Sequence, residues 1–363
     1  MSDLSNPIVS IIIPTLNRYD LLQQTLDSVQ RQTFKEWEAL VIDDGSNDDT
    51  EEKVVKMSQD DLRIRYRKRS SQKSGACVCR NEGTEASSGE YIIYLDSDDC
   101  LSPVALKNRM WEMERHPDLD FGIFPCILFD NHPGDIKLLW NIDTDINDID
   151  RFLALDVPWQ TTSPIWRRSS VLKLGSWNEN LPSWQDWEYH LRALIKNLRY
   201  KKFSEPDCFW RTPYTKRKSI WSLPTRKKKK SIGRKSHSPE HLYSQELLFI
   251  EIQQMLSNSG LFTDNRRILL GGLYFYLAQD WLKFGKKAEA LRVWNLCYEK
   301  KLIEQNFYLQ GNWYLKSVVP MPWIRRLVRK YLETVWPQEL LLSHGQSKTY
   351  HKIPVLDVGN FSD

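Results

Sequence analysis

Three aspartates in four positions, Asp96, Asp98 and Asp99, close the apolar run Ile92-Ile93-Tyr94-Leu95. Carboxylates crowded that closely repel one another, and a divalent cation between them removes the repulsion. A solvated turn and helix cap before Pro103 is the competing reading, because Asp and Ser favour both. A second acidic pair, Asp43-Asp44, follows Glu38-Ala39-Leu40-Val41-Ile42 and runs into Gly45-Ser46. A third apolar run, Ile8 to Ile13, stops at Pro14-Thr15-Leu16-Asn17-Arg18. Three strand ends thus deliver Thr and Asn, paired Asp, and clustered Asp, the places where an open α/β sheet presents its ligand groups.

The stretches between these runs must be the elements that hold them in line. Leu21, Leu22, Thr25, Leu26 and Val29 trace one apolar helical face after Asp20. A second helix follows Asp48-Asp49-Thr50, with Val54, Val55 and Met57 expected to face inward. Strands alternating with helices predict a mostly parallel sheet covered on both faces.

Five motifs in this order resemble a family-2 glycosyltransferase. They are the run Val9 to Arg18; Leu26-Asp27-Ser28-Val29 with Gln32-Thr33; Val41-Ile42-Asp43-Asp44-Gly45-Ser46-Asn47-Asp48; Ala76 to Gly83 with Arg80-Asn81 inside it; and Gly89-Glu90-Tyr91-Ile92 leading to Leu95-Asp96-Ser97-Asp98-Asp99. The match is dense over about the first hundred residues and extends weakly to about residue 220. It implies a GT-A fold, a Rossmann-like mostly parallel sheet flanked by helices, and inverting transfer from a nucleotide-sugar donor, in the first place a UDP-sugar. Such transfer stabilises a departing diphosphate with Mn2+ or Mg2+. By the resemblance Asp98 binds the metal and Asp96 sits near the ribose and uridine, while Asp99 either supports the metal shell or caps the next helix. Asp44 contacts the nucleobase edge, with Pro14, Thr15, Asn17 and Arg80 lining the donor pocket. Asp43 points the other way in a regular strand and ranks second. A plain salt bridge is the alternative role for Arg80.

The second half carries Gly175-Ser176-Trp177-Asn178-Glu179 and then Trp184-Gln185-Asp186-Trp187-Glu188-Tyr189-His190. This is similar to the family's later signature, in which a Glu-Asp pair opens a helix above the donor; here the pair is Gln185-Asp186. The aspartate survives, so Asp186 is the candidate base for the acceptor hydroxyl. Glu188 competes, though two positions on a helix point it away. A helix-start acid favoured by the dipole is the bland reading of Asp186. Trp184 and Trp187 are candidate acceptor platforms or ordinary core, and with 15 tryptophans in the chain both readings stand. His190 reads as structural. Further on, Trp210-Arg211 and Lys216 resemble the family's lead into a loop closing over the diphosphate, which makes Arg211 a donor-binding candidate; the histidine that often follows is missing.

Charge and composition bound the rest. Residues 216–235 hold ten Lys/Arg and no acids, leaving 41 Lys/Arg against 47 Asp/Glu elsewhere. That run is a solvated linker, or a contact for anionic lipid or donor phosphate. No nucleic-acid module accompanies it, so nucleic acid is not an expected partner. The six cysteines show no disulfide framework or zinc spacing, as expected for free thiols in a reducing cytosol. No signal peptide is visible, and the longest uncharged apolar stretch, Ile268 to Ala278, is far short of the ~20 residues that span a bilayer. A cytoplasmic protein is expected, with peripheral contact on the inner face of an anionic membrane as the sharper alternative.

The division expected is a catalytic domain over 1–215, a basic linker or donor-closing loop over 216–238, a helical C-terminal domain over 239–345 and a loose tail over 346–363. Ser238-Pro239-Glu240 marks a helix start. Two helices joined at Gly285 resemble a single tetratricopeptide-like unit. A last helix sets Ile324, Leu327, Val328, Tyr331, Leu332 and Val335 against Arg325, Arg326, Arg329 and Lys330, for docking on its neighbours or on an anionic membrane. The acceptor is a glycan, a lipid-linked species or a protein. Two other classes compete. A nucleotidyltransferase needs a glycine-rich loop after strand one, and Pro14 to Arg18 has no glycine. A non-catalytic scaffold fits poorly with intact Asp98 and Asp186, although the missing Glu before Asp186 favours it.

Overall fold

The segment Val9–Thr15 (β1) is buried at all seven positions, the pattern of a central strand covered on both faces. Trp37–Asp43 (β2) is buried throughout as well and runs parallel to it, pairing Val9 with Trp37 and Thr15 with Asp43. The computed structural model describes residues 6–212, 238–316, 331–332, 334–337, 340 and 351–352. In chain order the elements are β1, α1 (Tyr19–Gln30), β2, α2 (Thr50–Asp60), β3 (Ile64–Lys68), α3 (Ala76–Ala86), β4 (Tyr91–Tyr94), β5 (Cys100–Leu101), α4 (Ala105–Arg115), β6 (Phe121–Ile123), β7 (Cys126–Phe129) and β8 (Leu138–Leu139). There follow α5 (Asp148–Leu153), β9 (Pro164–Arg167), α6 (Arg168–Leu174), α7 (Gln185–Ile195), β10 (Tyr200–Lys202), β11 (Cys208–Arg211), α8 (Pro239–Asn258), α9 (Asp264–Lys283), α10 (Lys287–Glu299), α11 (Gln305–Lys316) and β12 (His351–Lys352).

The main sheet has the order β10-β6-β9-β4-β1-β2-β3. From β3 to β4 the strands are parallel, whereas β9 runs antiparallel to both β4 and β6. The chain winds from β1 outward through β2 to β3, then returns to lay β4 on the other side of β1. That reversal is a topological switch point, where open α/β sheets form their ligand crevice. A second sheet, β12-β8-β7-β11-β5, lies beside it. It draws on residues 126–139, where the sequence pattern is faint because its strands are only two to four residues long.

Helix α3 lies close against β1 and β2 because residue 83 is glycine: a Cβ there would collide with Ile12 and press on Ile42. In α2 Thr50 and Val54 are fully buried; Val55, expected inward, is 39% exposed, since it sits 100° further round the helix than Val54. The helices α8 to α11 do not stand apart from the sheet. One buried core runs from Ile12, Tyr94 and Phe121 through Trp187 to Phe249, Trp281 and Trp294. Arg266 of α9 reinforces the junction, donating to Asp150 Oδ1 at 2.6 Å and to Asn147 Oδ1 at 3.2 Å on the α5 side. Gly285 joins α9 to α10 at φ +72°, as its place in the pattern requires.

All six cysteines are buried and unpaired. No helix among the described residues is long and apolar enough to cross a membrane. The basic run with Lys216, the stripe over 324–330 and most of the tail lie outside the described residues.

Candidate active site

The carboxyl ends of β1, β2 and β4 meet at one edge because their register is set by backbone pairing. Thr15 stands opposite Asp43, and Leu95 donates its N–H to Ile12 O at 3.0 Å, so the aspartates after β4 emerge beside the turn that follows β1. Asn17 joins the two neighbouring loops: its N–H donates to Ser46 Oγ at 2.9 Å, and its Oδ1 accepts from the Asn47 N–H at 2.8 Å. Pro14 lies inside β1 and contributes a buried wall. Thr15 Oγ1 is buried without a hydrogen-bond partner among the described residues, an orphan of the kind a bound ligand satisfies.

The two aspartates after Ile42 divide their work. Asp43 is fully buried and accepts from the N–H groups of Gly45 and Ser46, from Ser46 Oγ at 2.7 Å and from the Tyr66 hydroxyl at 2.7 Å. It therefore builds the turn. Asp44 accepts from Arg69 Nε at 2.6 Å and from the Gly75 N–H at 2.9 Å, which ties the loop after β3 to the end of β2. Lys73, on that loop, pairs with Glu179 at 3.5 Å and so reaches the opposite side of the cleft.

The cluster after Leu95 is resolved residue by residue. Asp96 pairs with Arg80 Nη2 at 2.7 Å. Asp98 makes a looser pair with Arg18 Nη1 at 3.4 Å, its side chain about one-third exposed. Asp99 is buried and accepts from Thr162 Oγ1 at 2.8 Å and from the Arg211 N–H at 3.0 Å. It braces the floor, and α4 begins only at Ala105, so the expected helix cap is not its role. Burial pushes both the Asp98 and Asp99 carboxyls above their usual range, and the neighbouring aspartates push in the same direction. That excess of negative charge is what a cation relieves.

The donor set decides how a metal would fit. No group of three or more His, Cys, Asp or Glu side chains among the described residues converges on a metal position. Asp96 and Asp99 are committed to protein partners at short distance, whereas Asp98 is held by one long ion pair. The site therefore fits a cation attached through one carboxylate, its other ligands being water and substrate phosphate, as is usual for magnesium-like ions. Asp98 is the residue that would hold it.

Arg80 links the two halves of the cleft. It is nearly buried; Nη2 holds Asp96, Nη1 reaches Gln185 Oε1 at 3.5 Å, and the guanidinium lies 4.5 Å over the Trp177 ring. Burial works against its charge, but Asp96 first, with Cys77 and Asp186, together more than offset it and keep Arg80 protonated. Gln185 opens α7, which places Asp186 in the first turn, half-buried, with Oδ1 accepting from the Trp187 N–H at 2.9 Å. Glu188 is buried and paired with Arg192 at 2.6 Å, a structural commitment that leaves Asp186 the better candidate. His190 is buried among Phe152, Trp159, Trp166 and Trp177, and burial lowers its pKa to about 3.

Three expected site residues are engaged by protein partners, which for the two tryptophans favours the core reading over the platform. Trp187 is 3% exposed and donates its indole N–H to Phe152 O at 2.7 Å, so it is core and not an acceptor platform. Trp184 packs on Trp187, Phe249 and Tyr276. Arg211 reaches the site but donates to Asp98 O, Asp130 O and Gln24 Oε1 at 2.8–2.9 Å, while stacking 4.2 Å over Phe129. It clamps the Asp98 loop to the second sheet, its guanidinium nitrogens all engaged by protein acceptors.

Residues 10–170 match the family model for glycosyl transferase family 2. That stretch, somewhat less than half of the chain, is similar to the family. The chain is 41% identical over 104 residues to the GalNAc(5)-diNAcBac-PP-undecaprenol beta-1,3-glucosyltransferase of Campylobacter jejuni, across 29% of this chain and 34% of that protein. It is 39% identical over 118 residues to the poly(ribitol-phosphate) beta-N-acetylglucosaminyltransferase TarP of Staphylococcus aureus, across 31% of this chain and 36% of that one. These matches span about a third of the length of each relative. The fold likeness reaches further: residues 1–349 of S. aureus TarS align with a TM-score of 0.58 at 16% identity, covering 90% of this chain and 91% of that one.

Within the matched stretch, sequence reading missed Arg18 and Arg69, the partners of Asp98 and Asp44. Arg18 stood next to Asn17 in the first strand-end motif. Arg69 follows β3, whose Ile64 to Lys68 run carries one buried residue in five and so lacks the apolar signal that marked the other strand ends.

Proposed function

We propose that this chain is a family 2 glycosyltransferase that moves a sugar from a nucleoside-diphosphate donor, in the first place a UDP-sugar, to a hydroxyl acceptor on a glycan or lipid-linked glycan, with inversion at the anomeric carbon. The observation that carries this reading is the Arg80 bridge. One buried cation joins Asp96, on the donor edge, to Gln185, beside the candidate base. The names of two relatives specify beta linkages, which supports inversion from a donor whose diphosphate is α-linked.

In the reading proposed here, Thr15, Asn17, Asp44 and Arg80 line the nucleoside pocket and Asp96 faces the ribose. Asp98 would hold Mn2+ or Mg2+, which supplies electrostatic stabilisation of the leaving diphosphate. Asp186 takes the proton from the acceptor hydroxyl as its oxygen bonds to the anomeric carbon. The bond from that carbon to the diphosphate oxygen breaks on the opposite face, and the nucleoside diphosphate leaves with the electron pair. One carboxylate suffices for this displacement, because the base is needed on one face only. Arg80 offsets the charge on Asp96, and burial disfavours a charge on Asp99, so neither strongly opposes the leaving group.

Thermal stabilisation by a panel of nucleotide sugars, with and without manganese, tests the proposal, since a bound donor raises stability by mass action. A manganese-dependent shift with UDP-sugars is expected, and Asp98→Asn should abolish the manganese-dependent part. An undiminished shift in that variant would contradict the assignment of Asp98.

A further inference from the structure

Trp184 holds a backbone conformation that tryptophan ordinarily avoids, φ +62° and ψ +25°. The left-handed region suits glycine and tolerates asparagine; a bulky side chain there is strained. The residue is also placed where strain matters. It immediately precedes α7, stands two positions before Asp186, and its carbonyl accepts from the Glu188 N–H at 3.0 Å. The first turn of the helix, Asp186 included, therefore hangs from residue 184, and the start of α7 has no side-chain cap to share the load.

What holds the strained residue is its ring. Trp184 meets Trp187 at 5.2 Å, Phe249 at 5.5 Å and Tyr276 at 5.9 Å between ring centroids. Phe249 belongs to α8 and Tyr276 to α9, both beyond residues 10–170 that match the family. Phe249 is fully buried and also meets Tyr274 of α9 at 5.6 Å, so this grip is itself anchored in the helical core.

We propose that the C-terminal helices position the catalytic base: by gripping the Trp184 ring they keep residue 184 left-handed and so aim Asp186 into the cleft. In this arrangement Trp184 is a positioning residue and not a sugar platform. The inference rests on the reading of Asp186 as base. Without the ring contacts, residue 184 relaxes toward an ordinary conformation and the first turn of α7 swings with it. The donor edge, built on strand backbone, stays in place.

Two substitutions at one position separate this from plain packing. Trp184→Ala removes the ring but keeps a Cβ, so the strain is no longer opposed. Trp184→Gly removes the ring and the strain together. Full-length protein is assayed with manganese and a UDP-sugar, reading UDP release with water as acceptor, and UDP affinity by calorimetry. Trp184→Ala should lower kcat roughly tenfold, the scale of a left-handed penalty, and Trp184→Gly should stay within about threefold of the wild type. UDP affinity should change less than about twofold in both. The half-buried Tyr276→Leu should cut kcat severalfold in the wild type and add nothing on top of Trp184→Gly; this pair decides the matter if Trp184→Ala does not fold. Equal losses at position 184, or a greater loss with glycine, overturn the proposal while the functional reading survives. A wild-type chain that binds UDP but turns over no nucleotide sugar overturns both.

Discussion

The two walls of the cleft are built by different means. On the donor wall, Asp43, Asp44, Asp96 and Asp98 emerge within four residues of strands paired to β1, so backbone hydrogen bonds fix where they begin. On the other wall, Asp186 rides on a helix docked by side chains: Trp187 on Phe152, Trp184 on Phe249 and Tyr276, and Gln185 against Arg80. A wall made of paired backbone should tolerate changes of side chain and fail where the backbone needs room. A wall made of packed side chains should fail through changes far away in sequence.

The largest effect should separate the walls cleanly. Asp186→Asn should reduce kcat by at least ~10², the usual cost of losing a general base, and leave UDP affinity unchanged. Glu188→Gln should instead lower stability, because the half-buried Arg192 loses its charged partner. Turnover damaged more by the second change than by the first would mean the base has been misassigned.

Arg80→Lys should blur the comparison, because Arg80 touches both walls. A lysine cannot hold Asp96 and Gln185 at once or stack as a planar group on Trp177. We expect both weaker UDP binding and slower turnover, together on the order of tenfold or more in kcat/KM. A loss confined to kcat would show that Arg80 serves the base wall alone.

The same contrast explains what could be read from residues alone. Asp44, Arg80, Asp96 and Asp98 were legible because strand ends announce themselves as apolar runs stopping at polar groups. Their partners were harder to see: Arg69 follows a mostly exposed edge strand, and Arg18 gives no sign of reaching across to Asp98. For Trp184 and Trp187 the residues alone leave platform and core both open, since Phe249, which packs on both, and Tyr276, which packs on Trp184, lie more than sixty positions downstream. Arg211 was likewise open to a phosphate role until Gln24, Asp98 and Asp130 were found on its guanidinium.

A backbone test of the donor wall is Gly83→Ala. The added methyl would collide with Ile12 and lie 3.2 Å from Ile42 Cγ1, so α3 must back away from β1 and β2. Overpacking of this kind costs about 1–3 kcal/mol, read as a lower Tm. UDP affinity should fall with it, since α3 carries Arg80; an unchanged Tm would show that the contact between α3 and the sheet is looser than drawn.

Acid should weaken the base wall through His190, on the buried side of α7. Its folded pKa is lowered to about 3, chiefly by burial and secondarily by the charge on Arg80, against about 6.5 for a free imidazole. Between those values the unfolded chain binds a proton that the folded chain refuses. The stabilising contribution is therefore complete above about pH 6.5 and declines as the pH falls toward 3, by roughly 1.4 kcal/mol per pH unit once well below 6.5. His190→Phe keeps a flat ring among Phe152, Trp159, Trp166 and Trp177 and removes the titration. Its Tm should therefore decline less steeply than that of the wild type between pH 6.5 and 4.5. Parallel slopes would mean that the imidazole accepts its proton without leaving the aromatic cluster, and that acid acts on this fold through its carboxylates alone.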